Sequence, residues 1–235
     1  MRIATWNLER RRPTTPTGRA ALAHLAAVAP DVAVLTEAHL DHLGDGWHRA
    51  SAGPAGLSHL GDDERKVVIA SRMPLNDVET SVCDDSVPGR FVAASVDSPF
   101  GPVRTVGVCI PWSHSRVRSG EATAWADHRR YLDSLGRYIS ALSPNEKVIV
   151  AGDFNQRIPR TRQPRDVAER LAAILDDFAI PTAGEVPGVE RRLIDHVAVR
   201  GLTVESVETW PNDAGGVRMS DHDGVVMDLR HLSRP

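Results

Sequence analysis

The chain has 235 residues, enough to bury a sizeable core in one large domain or two small ones. With 41% hydrophobic and 25% charged residues it has the composition of an ordinary globular protein. Its net charge of −3 excludes a general polyanion binder, so any affinity for nucleic acid has to come from a local patch. The longest apolar runs, such as Ala20 to Ala29 broken by His24, are too short to span a bilayer, and no membrane association is expected. Met1-Arg2-Ile3-Ala4-Thr5-Trp6 begins as a strand does, with no secretory leader pattern. Cys83 and Cys109 make no CxxC pair and sit in apolar runs, so they read as buried free thiols. A reducing, cytoplasmic location is expected.

In chain order, Arg2 to Leu8 reads as a first strand with the polar Asn7 at its end. Three arginines, Arg10, Arg11 and Arg12, follow it, then a Thr/Pro/Gly loop from Thr14 to Gly18. Arg19 to Ala29 is an Ala-rich helix with Leu22, Leu25 and Ala29 on one face, stopped by Pro30. Asp31 to Glu37 is a second buried strand ending in a carboxylate. A helix between two apolar strands is a βα-crossover, which brings both strands out at one sheet edge and Asn7 close to Glu37. His39 to Leu60 reads as loop, with a short strand around Trp47. Its histidines, His39, His42, His48 and His59, match no zinc spacing and read as surface residues. Asp62-Asp63-Glu64-Arg65-Lys66 reads as a solvated charge run.

Short β-like runs follow at Val67–Ser71, Val78–Cys83, Phe91–Val96 and Val103–Ile110, separated by turn signals, which predicts an antiparallel portion of sheet. Trp112 to Gly120 is a polar loop with Arg116 and Arg118. Glu121 to Leu142 is the longest helix, with Trp125, His128, Leu132, Leu135, Ile139 and Leu142 at core spacing and His128 a structural residue. Lys147 to Gly152 is a strand closed by a glycine breaker, and Asp153 and Asn155 stand on the turn where it leaves the sheet. If that turn is still extended, both side chains point the same way, one a carboxylate able to orient a water and one an amide able to hold a phosphate oxygen. Arg157, Arg160, Arg162 and Arg165 lie in the Pro-rich loop that follows. Val167 to Phe178 is another amphipathic helix, with Leu171, Ile174, Leu175 and Phe178 inward. Leu193 to Val199 is a strand carrying Asp195 inside its apolar run, where an unpaired charge is costly. A turn at Gly201 leads to a strand from Thr203 to Val207, Asp213 to Gly216 is loop, and Ser220-Asp221-His222 precedes a last strand, Val225 to Leu229. No repeat, low-complexity tract or linker divides the chain, so residues 1–235 read as one domain.

Five polar motifs therefore stand at strand ends or inside strands: Trp6-Asn7, Leu35-Thr36-Glu37, Gly152-Asp153-Phe154-Asn155, Ile194-Asp195-His196 and Ser220-Asp221-His222. Carboxylates gathered at one mouth repel one another, which a divalent cation relieves, and oxygen ligands suit Mg²⁺ or Mn²⁺. This order of motifs resembles the endonuclease/exonuclease/phosphatase superfamily over nearly the whole chain, and Ser71-Arg72-Met73-Pro74 resembles its Ser-Arg-x-Pro segment. The resemblance implies an α/β four-layer sandwich, two mixed β-sheets packed face to face with helices on both outer sides. It implies a Mg-dependent phosphodiesterase, most simply a nuclease that cleaves nucleic-acid phosphodiesters with activated water. A small-molecule or lipid phosphatase and a non-catalytic binding member are the alternatives.

By the same resemblance, Glu37 is the metal-binding glutamate, with Asn7 beside it and Asp221 near the metal. Asp153 orients or deprotonates the attacking water, Asn155 contacts the phosphate, His222 contacts the scissile phosphate, and Asp195 hydrogen-bonds His222. Where many members carry a His or Tyr, near the end of the strand corresponding to Val103–Ile110, this chain reads Val108-Cys109-Ile110-Pro111-Trp112-Ser113-His114 and no residue takes that position clearly. The arginine groups imply a nucleic-acid partner. Arg10, Arg157 and Arg160 are expected to rim the mouth and grip phosphates, and Trp112 to stack on an unpaired base. No obligate protein partner is implied.

Overall fold

A computed structural model describes residues 1–53, 61–82, 87–115 and 123–231. Its first sheet has six strands: β1 (Arg2–Asn7), β2 (Val32–His39), β3 (His48–Ser51), β4 (Glu64–Ser71), β10 (Leu202–Trp210) and β13 (Gly224–His231). They lie in the order β10-β13-β1-β2-β4-β3. The second has five: β5 (Leu75–Glu79), β6 (Phe91–Ser98), β7 (Gly101–Cys109), β8 (Val148–Asp153) and β9 (Asp195–Arg200), in sequence order. Both are mixed. β1 and β2 pair in parallel, as do β7 and β8, while the other pairings are antiparallel. A small hairpin, β11 (Asp213–Ala214) with β12 (Val217–Arg218), forms where the sequence reads as loop.

Alternation along the strands sorts side chains into layers. Ile3, Val32, Val34, Val67 and Ile69 of the first sheet meet Val92, Val103, Ile149, Ala151, Val197 and Val199 of the second in one cluster, so the two sheets pack face to face. The opposite face of the first sheet, with Ala4, Trp6, Ala33 and Leu35, is covered by α1 (Pro16–Val28) through Ala21 and Leu25. The opposite face of the second, with Val106, Val108, Val148 and Val150, is covered by α2 (Ala126–Ala141) through Leu132, Leu135 and Ile139, and by α3 (Arg165–Ile174) through Val167 and Leu171. The four-layer α/β sandwich is thus present, helix, sheet, sheet and helices. Among the described residues no helix is long and apolar enough to cross a membrane.

Several expectations need correction. α1 begins three residues before Arg19, because Thr15 caps it by accepting from Gly18 N at 3.1 Å and Pro16 opens its first turn. α2 begins at Ala126 rather than Glu121, and Trp125 precedes it with a left-handed φ of 69°. β4 belongs to the first sheet, so the antiparallel run is β5-β6-β7, and β5 ends at Glu79 as an exposed edge strand. The Val78–Cys83 prediction is therefore displaced, and Cys83 lies outside the described residues. Gly152 lies within β8 rather than breaking it. Its φ is 132°, and a Cβ there would stand 2.0 Å from Val108 O, so only glycine permits this close approach of β7. His39 and His42 are buried, not surface residues. His39 Nε2 bonds the Arg10 carbonyl at 3.1 Å and His42 Nε2 the Arg11 carbonyl at 2.6 Å, pinning the turn after β1. His48 is exposed as expected, and His59 lies outside the described residues.

Candidate active site

Asn7, Asp153 and Asp195 hold inward-facing positions at strand ends, the first on one sheet and the others on the second. Asp153 and Asp195 are direct partners across β8 and β9. Asn7 crosses between the sheets, its Nδ2 donating to Asp153 Oδ2 at 3.2 Å. Asn155 comes back to the same carboxylate. Its backbone N–H donates to Asp153 Oδ1 at 2.9 Å, and its Nδ2 donates to Oδ2 at 3.0 Å and to Ile110 O at 2.8 Å. The backbone at Asn155 is left-handed, with φ 52°, so the two side chains meet through an Asx turn and not through a continued extended chain.

His222 arrives from the loop before β13. The fully buried Trp6 indole donates to its carbonyl at 2.8 Å, and its own N–H donates to Ser220 Oγ at 3.1 Å, while that hydroxyl donates to Asn7 O. These bonds tie the loop to the end of β1. His222 Nδ1 lies 2.5 Å from Asp195 Oδ2, and Nε2 lies 3.8 Å from Oδ1 of the exposed Asp221. Burial opposes charging of His222, but the Asp195 carboxylate outweighs it and raises the imidazole pKa to about 10. Burial, together with their mutual repulsion in the case of Asp153, holds Asp153 and Asp195 above the ordinary carboxylate range, with His222 pulling both down.

Glu37 completes the mouth from β2 by an irregularity. Its φ is 47°, a left-handed conformation that only a constrained non-glycine residue keeps. Leu35 and Ala38, three apart, both join the cluster under α1, so the alternation resets at Glu37 and frees its side chain from the helix face. Its Oε1 accepts from Lys66 Nζ at 2.8 Å and its Oε2 pairs with Arg10 Nη1 at 2.9 Å. Burial raises the Glu37 carboxyl, but these two cations outweigh it and hold it below its ordinary value. Carboxylate repulsion therefore raises Asp153, to which Glu37 also contributes, while the cations beside Glu37 keep its own carboxyl low.

One cavity of about 750 Å³ is lined by Asn7, Glu37, Asp153, Asn155, Asp221 and His222, together with Arg10, Lys66, Arg90, Cys109, Trp112 and His114. Trp112 is 53% exposed there, its ring 5.2 Å from that of His114. Arg157 and Arg160 are exposed and do not line this cavity; they line a second one of about 640 Å³, between the loop after Asn155 and α3. Arg116 and Arg118 lie outside the described residues. Cys109 is buried, and burial pushes its thiol up to about 12, so it offers no acid for catalysis. His128 is structural as expected, bonded to Pro111 O at 2.6 Å and to Gln156 Nε2 at 2.9 Å. Ser71 and Arg72 are structural too, Ser71 Oγ accepting from Met73 N and Arg72 lying 4.0 Å over the Trp47 ring.

Sequence reasoning gave no role to Lys66 or Arg90, and quoted Trp6 and Ser220 only as motif members. Lys66 was hidden in a charge run that is solvated only in part: Asp62 is exposed, but Glu64 and Lys66 are buried. The pairing of Thr36 with Val67 and of Ala38 with Arg65 sets Lys66 opposite Glu37, a long-range register with no local signal. Arg90 sits just before an apolar run and had only its charge to mark it.

The residues present fit a divalent cation. Carboxylate oxygens of Asp153 and Asp195 lie within 4.8 Å of one another, next to His222, which its pairing with Asp195 keeps as a proton donor and not a ligand. Asp195 Oδ1 is buried without a hydrogen-bond partner among the described residues. Two buried carboxylates held above their usual range, beside further oxygen donors on Asn7, Glu37 and Asp221, are a donor set for a hard cation.

Comparison with known proteins agrees with this geometry. The sequence profile of the Endonuclease/Exonuclease/phosphatase family matches residues 4–222. No curated protein matches the chain. Among solved structures, an endonuclease/exonuclease/phosphatase from Beutenbergia cavernae is 23% identical with a TM-score of 0.65, over 98% of this chain and 71% of that one. A 3′ phosphatase from Neisseria, bound to a product DNA hairpin, is 19% identical with a TM-score of 0.70, over 98% of this chain and 99% of that one. A sphingomyelinase C from Streptomyces griseocarneus is 17% identical with a TM-score of 0.63, over 97% and 98% of the two chains. The chain belongs to the endonuclease/exonuclease/phosphatase family, whose members are divalent-metal-dependent hydrolases of phosphoesters.

Proposed function

We propose that this protein is a Mg²⁺- or Mn²⁺-dependent phosphodiesterase acting on nucleic acid. The observation that carries the reading is the convergence in one cavity of His222, backed by Asp195, with the buried Asp153 and the Glu37 carboxylate. Asp153 takes the proton of the attacking water, which Asn7 and Asn155 leave it oriented to do by occupying its other acceptor sites. The water oxygen bonds to phosphorus as the bond to the leaving oxygen breaks, so two groups replace one phosphodiester. His222, kept cationic by Asp195, donates to a phosphoryl oxygen as charge develops there. Glu37, with Asn7 and Asp221, would hold a divalent cation, which would supply charge neutralisation for the phosphoester.

For the substrate, Arg10 and the exposed Trp112 at the cavity wall favour a polynucleotide, the arginine for a neighbouring phosphate and the indole for an unpaired base. The Neisseria 3′ phosphatase bound to DNA is in line with this, whereas the sphingomyelinase shows that the fold also accommodates lipid substrates. The test is a panel of plasmid, single-stranded DNA, RNA, abasic-site duplex, phosphoinositide and a chromogenic phosphodiester, each with magnesium or with excess chelator. Cleavage of a polynucleotide only in the presence of the metal is the expected result. Full activity in chelator ends the metal reading, and turnover of the phosphoinositide alone replaces the nuclease with a phosphatase.

A further inference from the structure

Three Arg and Lys side chains line the catalytic cavity, and two of them are already engaged. Lys66 and Arg10 each hold one oxygen of Glu37. The third, Arg90, is 5% exposed and has no carboxylate partner among the described residues. Its Nη1 donates to Cys109 O at 3.1 Å and lies 3.5 Å from Cys109 Sγ, and its Nε is buried with no acceptor. A guanidinium carries five donors and cannot shed its charge, so burying it against one carbonyl and a neutral thiol leaves most of its hydrogen bonding unmet, with the Glu37 carboxylate acting on its charge only at a distance, without an ion-pair contact. The backbone beneath it is fixed on both sides. The carbonyl of Arg90 accepts from Cys109 N at 2.9 Å and from the buried Tyr131 hydroxyl at 2.9 Å. The residue is therefore rigidly built, costly, and aimed at a cavity whose other walls are Asp153, Asn155 and His222.

We infer that Arg90 is a substrate-contacting catalytic residue, its guanidinium taking a non-bridging phosphoryl oxygen on the Cys109 side of the cavity. The assignment rests on the phosphoester-hydrolase reading. The chemistry fits because planar guanidinium matches phosphate geometry, and a donor held in place before the reaction stabilises charge at no reorganisation cost. Cys109 supplies no proton or charge from that side, so Arg90 is the group there that can answer the developing negative charge.

The experiment compares the wild-type protein with Arg90→Lys and Arg90→Met on a chromogenic phosphodiester with magnesium, and measures inhibition by inorganic phosphate in the same assay. Arg90→Met should lower kcat by about 10²–10³, the range for removing one such donor, and raise the inhibition constant for phosphate at least about tenfold. Arg90→Lys keeps the charge without the fork and should fall between them. A folded Met variant with both constants within twofold of wild type overturns the assignment. So does an equal kcat loss in the two variants with phosphate inhibition unchanged, the pattern of a structural residue. Should the Met variant fail to fold, the Lys variant decides, since an unchanged phosphate inhibition constant there is also disproof. A wild-type protein inactive on every phosphoester tested would instead sink the hydrolase reading. In that case phosphate binding, followed by ³¹P line broadening, should still weaken on Arg90→Lys.

Discussion

Glu37→Gln should destabilise the protein, and the size of the loss can be worked from the Lys66 contact. The Lys66 side chain is 6% exposed and that of Glu37 19%, with Nζ 2.8 Å from the carboxylate. Removing one partner of a buried ion pair costs about 3–5 kcal/mol, because the remaining charge stays buried. Glutamine keeps a carbonyl that can accept from Lys66, so about 2 kcal/mol is the expected loss. The Arg10 arm adds little, since its side chain is 41% exposed. For a chain of this length about 2 kcal/mol corresponds to a fall in melting temperature of about 4–8 °C. The assay is denaturant unfolding of wild type, Glu37→Gln, Lys66→Met and the double variant, where the double should lose less than the sum of the singles. Acid provides an internal check. The folded carboxyl is held below its ordinary value of 4.5, so its stabilisation is complete above that value and disappears as the pH falls through the folded pKa. The gap between wild type and Glu37→Gln should therefore be full near neutral pH and close in strong acid. A neutral-pH gap under about 0.5 kcal/mol, below any sizeable buried-pair effect, or a gap indifferent to pH would refute the reasoning.

Other outcomes follow from the same geometry. His222→Ala and Asp153→Asn should each cost about 10²–10⁴ in turnover, and Asp195→Asn less than His222→Ala, because it keeps the geometry and removes only the charge. The Asp195→Asn/His222→Ala double variant should be far from additive, and additive losses would mean that the pair does not act as a unit. Wild-type activity should rise from acid towards neutral pH as Asp153, held above the usual carboxylate range, gives up its proton, with His222 still charged up to about 10; a pH-independent rate over that interval would remove Asp153 as the base. Neutralising Arg157 and Arg160, which line the neighbouring cavity, should leave turnover of a small chromogenic diester unchanged, and a loss there would show that these arginines serve the catalytic centre or the fold.

Much of this protein is written in short-range pattern. Strand alternation, the crossover from β1 to β2 and the glycine before Asp153 placed Asn7, Glu37, Asp153, Asp195 and His222 at strand ends or inside strands. A polar residue that interrupts an apolar run is costly to bury unless it has a partner or a task, so such residues stand out in the sequence. That is why the strands and the polar residues at their ends were legible in the residues themselves, while the four-layer sandwich and the roles of those residues came from the family resemblance that the motifs carry. What was not legible depends on contacts between distant segments. Lys66 reads locally as one of a run of solvated charges; only the antiparallel register of β2 with β4 makes it the partner of Glu37. The left-handed turn at Glu37 carries no residue signature, because its strain is held by the surrounding structure and not by glycine or asparagine. His39 and His42 look like loop histidines until the turn after β1 folds against them and offers two carbonyls. The loop arginines show the reverse case. Sequence order put Arg157 and Arg160 beside Asn155, but the path of their loop against α3 carries them to a neighbouring cavity. The amino-acid sequence determined which chemistry is present and on which strand ends it stands. The tertiary structure decided which cations meet which carboxylates, since that depends on register and loop path, which the two-residue period of a strand does not encode.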